Sequence, residues 1–202
     1  MNEAAGFFVN VWLKFFFLLT PGFALTMYLT LTEGMTPDER HRVAIRSTVA
    51  VVVACGVLFF CGDLVFRLFG ITLDSFRIGA GALLFISAIT LAQGRPSESR
   101  PAPGQDPSVV PLAIPILVGP AVAGTILVMS AECQTLVQKA AGFSALIFAS
   151  VCIGAILYSA VAIERKLGRE VLAVLMKLTG LILAAFAAQI IFTGIRHMLA
   201  PG

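Results

Sequence analysis

The chain has 202 residues, 58% of them apolar and 12% charged, with a mean hydropathy of +0.96 and a formal net charge of +3. A soluble domain carries about 45–50% apolar residues and about twice this charge fraction, so a water-soluble or disordered chain is excluded. Lysines and arginines punctuate apolar runs instead of clustering on one solvated face, which excludes nucleic-acid binding.

Crossing the hydrocarbon core as a helix takes about 20 mainly apolar residues. Six stretches meet that length, at 6–32, 43–66, 73–92, 109–131, 140–163 and 171–199, and predict a multi-pass, all-α protein of the lipid bilayer. The first is too long for a signal peptide, begins with Glu3 where a basic leader would stand and lacks a small-x-small cleavage site, so it is read as a span.

Six spans put the odd-numbered loops on one side of the membrane and both termini on the other. Nine basic residues lie in or beside the odd loops (Arg40, Arg42, Arg46, Arg95, Arg100, Arg165, Lys166, Arg169 and Lys177), against five on the terminal side (Lys14, Arg67, Arg77, Lys139 and Arg196). The positive-inside rule then makes the odd loops cytoplasmic and both termini extracytoplasmic. Loop 93–108, QGRPSESRPAPGQDPS, holds four prolines and two glycines and reads as a flexible cytoplasmic linker between a first unit, 1–92, and a second, 109–202, of one membrane domain. The four cysteines form no CxxC, and His41 and His197 stand isolated near span ends, so no metal or cofactor is expected.

The two units resemble each other. Setting Pro21 against Pro120 aligns LLTPGFALTMYL with LVGPAVAGTILV, pairs Thr20 with Gly119 and Thr26 with Thr125, and carries Arg67-Leu68 onto Lys166-Leu167 at an offset of about 99 residues. Three spans per unit place the second unit upside down relative to the first, an inverted-topology repeat of the kind used by secondary transporters.

Both aligned prolines fall near the centre of their spans, which predicts that helices one and four are broken at the midplane. Proline lacks an N–H and its ring displaces the carbonyl four residues back, so the Phe17 and Ile116 carbonyls should stand unpaired, and Pro115 should likewise free that of Pro111. Beyond each break a half-helix should start with free N–H groups, from Gly22, Phe23 and Ala24 in one unit and from Ala121, Val122 and Ala123 in the other. Such termini attract a carboxylate, and freed carbonyls accept from an ammonium or a small cation, so the two breaks can close on one small zwitterion. Gly22, Ala24, Gly119 and Gly124 leave room for it, Thr20, Thr26 and Thr125 offer hydroxyls, and the stretches Ala184–Ala188 and Gly79–Gly81 suit close helix packing.

Pro111 to Gly124, PLAIPILVGPAVAG, resembles the PLAIP-x-L-x-GP signature of the MarC family, also called the neutral amino acid transporter family. Phe16 to Thr32 is similar to that family's first-span motif and Phe76 to Phe85 to its third span. The family pattern has Asn-Pro where Thr20-Pro21 stands here; Thr20 keeps a hydroxyl and lacks the amide donor, a departure that bears on the choice of substrate or ion. The resemblance implies a bacterial inner-membrane transporter of small neutral amino acids such as glycine, alanine or serine, with the coupling ion open between H⁺ and Na⁺. The rival is a non-transporting structural or regulatory membrane protein, marked by a dry, fully packed midplane. A membrane enzyme is not expected, because neither histidine lies deep in a span and only Asp63 approaches one.

Overall fold

The computed structural model describes residues 2–94 and 106–199, and among them there are helices and no strand. The connector expected at 93–108 lies for the most part outside the described residues. The helices are α1 (Asn2–Leu18), α2 (Pro21–Leu31), α3 (Pro37–Phe69), α4 (Leu73–Ala92), α5 (Pro120–Glu132), α6 (Leu136–Tyr158) and α7 (Ala160–Leu199), with an irregular wide-turn segment at Ser108–Leu117 before α5.

Helix starts are written in the sequence as caps. Thr36 accepts the Glu39 N–H while the Glu39 carboxylate accepts that of Thr36, and Thr135 with Gln138 repeats the device at α6. Thr72 caps α4 by accepting the Ser75 N–H, and Gly70 ends α3 in the left-handed conformation at φ 63°. These caps lie outside the apolar stretches, which is why α3 starts six residues before the expected 43. The expected fifth loop is also absent as a loop. Helix α7 begins one residue after Ser159 and takes the charged stretch into itself, with a single non-helical residue at Gly168.

Five stretches are long and apolar enough to cross a membrane: Phe8–Leu31, Pro37–Cys61, Leu73–Ala92, Leu136–Tyr158 and Glu170–Leu199. Ser108–Leu117 and Pro120–Glu132, bent by 64°, would together make a sixth. Their outward faces are apolar, with Val49, Phe60, Leu181 and Phe192 each more than half exposed, as lipid contact requires. Phe15, Leu18, Leu19, Leu112, Ile126 and Leu146 fill the interior.

Most of the packing runs between the two units. Helix α1 lies on α6, α3 on α5 and α6, α4 on α5, and α2 on α7, while α4 and α7 make the most extensive pairing. Small residues set that last distance. A Cβ on Gly81 would stand 3.2 Å from the Ala187 carbonyl oxygen and 3.3 Å from the Ile191 nitrogen. One on Gly180 would stand 2.8 Å from the Ala88 oxygen and 2.6 Å from the Ala92 nitrogen. Gly79, expected to share this role, faces open space instead.

Candidate functional site at two helix interruptions

Helix α1 ends at Leu18 and α2 starts at Pro21, with Thr20 between them in the left-handed region at φ 49°, ψ 65°. A β-branched residue reaches that region only under strain. In the second unit the regular chain fails earlier than Pro120. Val110 and Ile114 are extended, each before a cis proline (Pro111 and Pro115), and the turns around them close through i to i+5 hydrogen bonds, Leu112 N–H to Pro107 O at 3.1 Å and Val118 N–H to Ala113 O at 2.9 Å. Gly119 is extended and Pro120 begins α5. A Cβ on Gly119 would lie 2.8 Å from the Pro115 carbonyl oxygen, so the close return of the chain requires glycine.

The backbone groups are partly spent. The Phe17 carbonyl, expected to be free, accepts the Thr20 N–H at 3.0 Å, because the left-handed turn at Thr20 brings that donor round. The Ala24 N–H donates to Thr20 O and the Ala123 N–H to Gly119 O, both at 2.8 Å, which removes these two from the expected donors. Neither α2 nor α5 has a side-chain cap, so the N–H groups of Gly22, Phe23, Ala121 and Val122 form the open first turns.

Both interruptions border one cavity of about 430 Å³. Thr20 and Phe23 contribute from one unit and Pro115, Gly119, Pro120, Ala121 and Val122 from the other, with Leu84, Ser87 and Thr90 of α4 completing the wall. Ser87 and Thr90 were missed in the sequence; two hydroxyl residues one helical turn apart in an apolar span were the available signal. Both donate to their own helix, Ser87 to Leu83 O and Thr90 to Ile86 O at 3.0 Å, so toward the cavity they offer acceptors.

Seven expected site residues are not in this wall. A Cβ on Gly22 would meet the Met176 backbone of α7 at 3.2 Å, and one on Gly124 would meet the Ala80 Cβ at 2.9 Å, so both glycines admit a neighbouring helix where room for a ligand was expected. Thr26 donates to Gly22 O at 2.9 Å and Thr125 to Ala121 O at 2.8 Å, both stitching their own half-helix. Ala24 is fully buried in the core, Pro21 is partly buried, and Ala123 borders a groove between α3 and the Ser108–Leu117 segment.

At the far end of α4, Arg77 is 7% exposed and gathers polar partners from three helices. Its guanidinium reaches Asp74 at 2.5 Å and Glu132 at 2.9 Å, and the His197 ring nitrogen lies 3.1 Å from it and 3.3 Å from Asp74. His197, read from sequence as isolated, thus belongs to a polar cluster joining α4, α5 and α7. At the end of the linker, Asp106 pairs with Arg46 of α3 at 2.5 Å. The Ser108 hydroxyl, with its backbone N–H and Arg46, holds the Asp106 carboxyl below its ordinary range.

The profile described as "MarC family integral membrane protein" matches residues 5–199, nearly the whole chain and both interruptions. The chain belongs to the MarC family. Similar MarC proteins include the "UPF0056 membrane protein YvbG" of Bacillus subtilis, 32% identical over 206 residues with 95% of each chain covered. A "UPF0056 membrane protein" of Aquifex aeolicus is 27% identical over 207 residues, covering 98% of this chain and 97% of its own. YhcE of Escherichia coli is 27% identical over 204 residues, with 95% and 94% covered. No solved structure matches this MarC chain.

Proposed function

We propose that this MarC protein is a secondary transporter of small neutral amino acids, such as glycine, alanine or serine, working by alternating access across the bacterial inner membrane. The observation that carries the reading is the shared cavity: the chain interruptions of both units meet in about 430 Å³, with the open first turns of α2 and α5 on its wall. An anionic carboxylate is the natural partner of such turns, and the space suits a small ligand. The role is binding and translocation, with no catalysis and no cofactor, and H⁺ or Na⁺ as the driving ion.

We read the two units as inverted-topology repeats with helices one and four broken at the midplane. The support is reciprocal packing at one offset. Gly81 faces Ala187 and Ile191 while Gly180 faces Ala88 and Ala92, so each contact maps onto the other by 99 residues. Likewise α4 lies on α5 as α7 lies on α2, and α1 lies on α6 as the Ser108–Leu117 segment lies on α3. Odd loops are cytoplasmic and both termini extracytoplasmic in this reading.

The test is uptake of labelled glycine, alanine and serine into proteoliposomes, with and without Na⁺ and a pH gradient. Saturable, gradient-dependent accumulation is expected. Uptake no greater than in protein-free liposomes under every gradient would favour a non-transporting structural or regulatory membrane protein, a reading to which the mainly aliphatic cavity wall lends some weight.

A further inference from the structure

A second cavity, of about 280 Å³, lies where α2 ends and α3 begins, closed on its other side by α7. Its lining is unlike that of the first. Arg40 brings a guanidinium, Glu33 and Glu164 bring carboxylates, Thr26 and Thr30 bring hydroxyls, and Leu29, Leu172 and Met176 supply an apolar floor. The Arg40 Nε is buried and has no hydrogen-bond partner. A buried guanidinium nitrogen without a partner is costly, and a carboxylate is the group that meets its planar fork. The residue is anchored independently of its side chain, since the Tyr28 hydroxyl donates to the Arg40 carbonyl at 2.7 Å.

The acidic side of the cavity has a telling counterpart. At the 99-residue offset Glu33 corresponds to Glu132, and Met176 to Arg77. Glu132 is neutralised by Arg77 at 2.9 Å, whereas at the corresponding place Glu33 has the uncharged Met176. Among the described residues Glu33 makes no ion pair, so its carboxylate is left for a cation from outside the chain. Thr26 and Thr30 spend their protons on Gly22 O and Thr26 O, at 2.9 and 3.0 Å, and keep acceptor lone pairs that suit an ammonium.

We propose that this cavity is a binding site for a small zwitterion, with Arg40 taking the carboxylate and Glu33 the ammonium. Binding rests on the cavity's own chemistry; that the ligand is the transported substrate, held on entry or release, rests on the transporter reading. A guanidinium and a carboxylate facing one small space select a ligand bearing both charges over either charge alone.

The experiment is site-specific protection in the full-length protein in nanodiscs, with the native cysteines replaced and Ala173→Cys, an exposed cavity residue of α7, as reporter. L-Alanine should slow maleimide labelling of the reporter, and acetate or methylammonium at the same concentration should not. Arg40→Gln should raise the alanine concentration for half-protection about tenfold or more, with Arg40→Lys intermediate. Glu33→Gln, on the exposed turn, should act in the same direction and serves if Arg40→Gln does not fold. No protection by alanine, equal protection by acetate or methylammonium, or unchanged protection in the Arg40 and Glu33 variants would overturn the proposal. Pro120→Ala separates the two readings: it should abolish uptake while leaving protection at residue 173 intact, and loss of that protection would place the alanine elsewhere.

Discussion

Gly124 of α5 lies directly against Ala80 of α4, close enough that a Cβ on Gly124 would come within 2.9 Å of the Ala80 Cβ. Two stiff backbones meet there, so a methyl has nowhere to go unless the helices part. Alanine gains about 1 kcal/mol over glycine in a helix interior, but overpacking of this kind costs about 1–3 kcal/mol. Gly124→Ala should therefore lower the thermal unfolding temperature and reduce transport of glycine, alanine and serine alike. Selective loss of the larger substrates at unchanged stability would return Gly124 to the ligand pocket.

Thr20 holds a left-handed conformation that costs a β-branched residue about 1–2 kcal/mol. Asparagine tolerates this region best among the larger polar residues, which gives a physical reason for the Asn-Pro of the family pattern. Thr20→Asn should raise stability by about 1 kcal/mol in a thermal unfolding assay, and Thr20→Val, which stays β-branched, should not. A lower unfolding temperature for Thr20→Asn would mean that the Thr20 hydroxyl outweighs the backbone term.

Arg77 is the buried centre of its cluster, while Asp74 and Glu132 are 28% and 44% exposed at the side chain. Arg77→Gln leaves two carboxylates and no cation between them. Partial hydration of both limits the damage, so the expected loss is about 1–3 kcal/mol, below the full cost of an orphaned buried charge. Arg77→Lys should recover only part, because one ammonium cannot reproduce the planar fork. Wild-type stability in Arg77→Gln would show that the cluster contributes nothing net.

Topology is open to direct labelling. In a background without native cysteines, Asp38→Cys at the start of α3 should react with an impermeant maleimide only from the cytoplasmic side, and Gln134→Cys between α5 and α6 only from outside; both positions are exposed. Labelling of both from one side would break the six-span topology.

What the sequence made legible were the properties that depend on composition along the chain. Apolar length placed the spans, and Thr36-Pro-Asp-Glu39 carried the start of α3 in plain view, although the apolar stretch alone pointed further on. What it hid were properties that depend on a partner far away in the chain. Gly22 and Gly124 look like free space beside a proline until Met176 and Ala80 fill it. His197 looks isolated until Arg77, 120 residues earlier, comes alongside. The Thr26 and Thr125 hydroxyls look available until their own helices claim the protons, an ordinary habit of threonine within a helix.

The central claim is that a small amino acid passes through the cavity shared by the two interruptions. The most direct measurement is counterflow of labelled alanine in proteoliposomes preloaded with unlabelled alanine, comparing wild type with Ala121→Leu, a buried residue of the cavity wall at the first turn of α5. Counterflow needs no driving ion, so the result does not depend on which gradient powers transport. The account predicts rapid exchange by wild type and loss of exchange in Ala121→Leu, with the variant still folded and inserted. Equal exchange by both would contradict it, because bulk added at the meeting point of the two interruptions would then leave the path untouched.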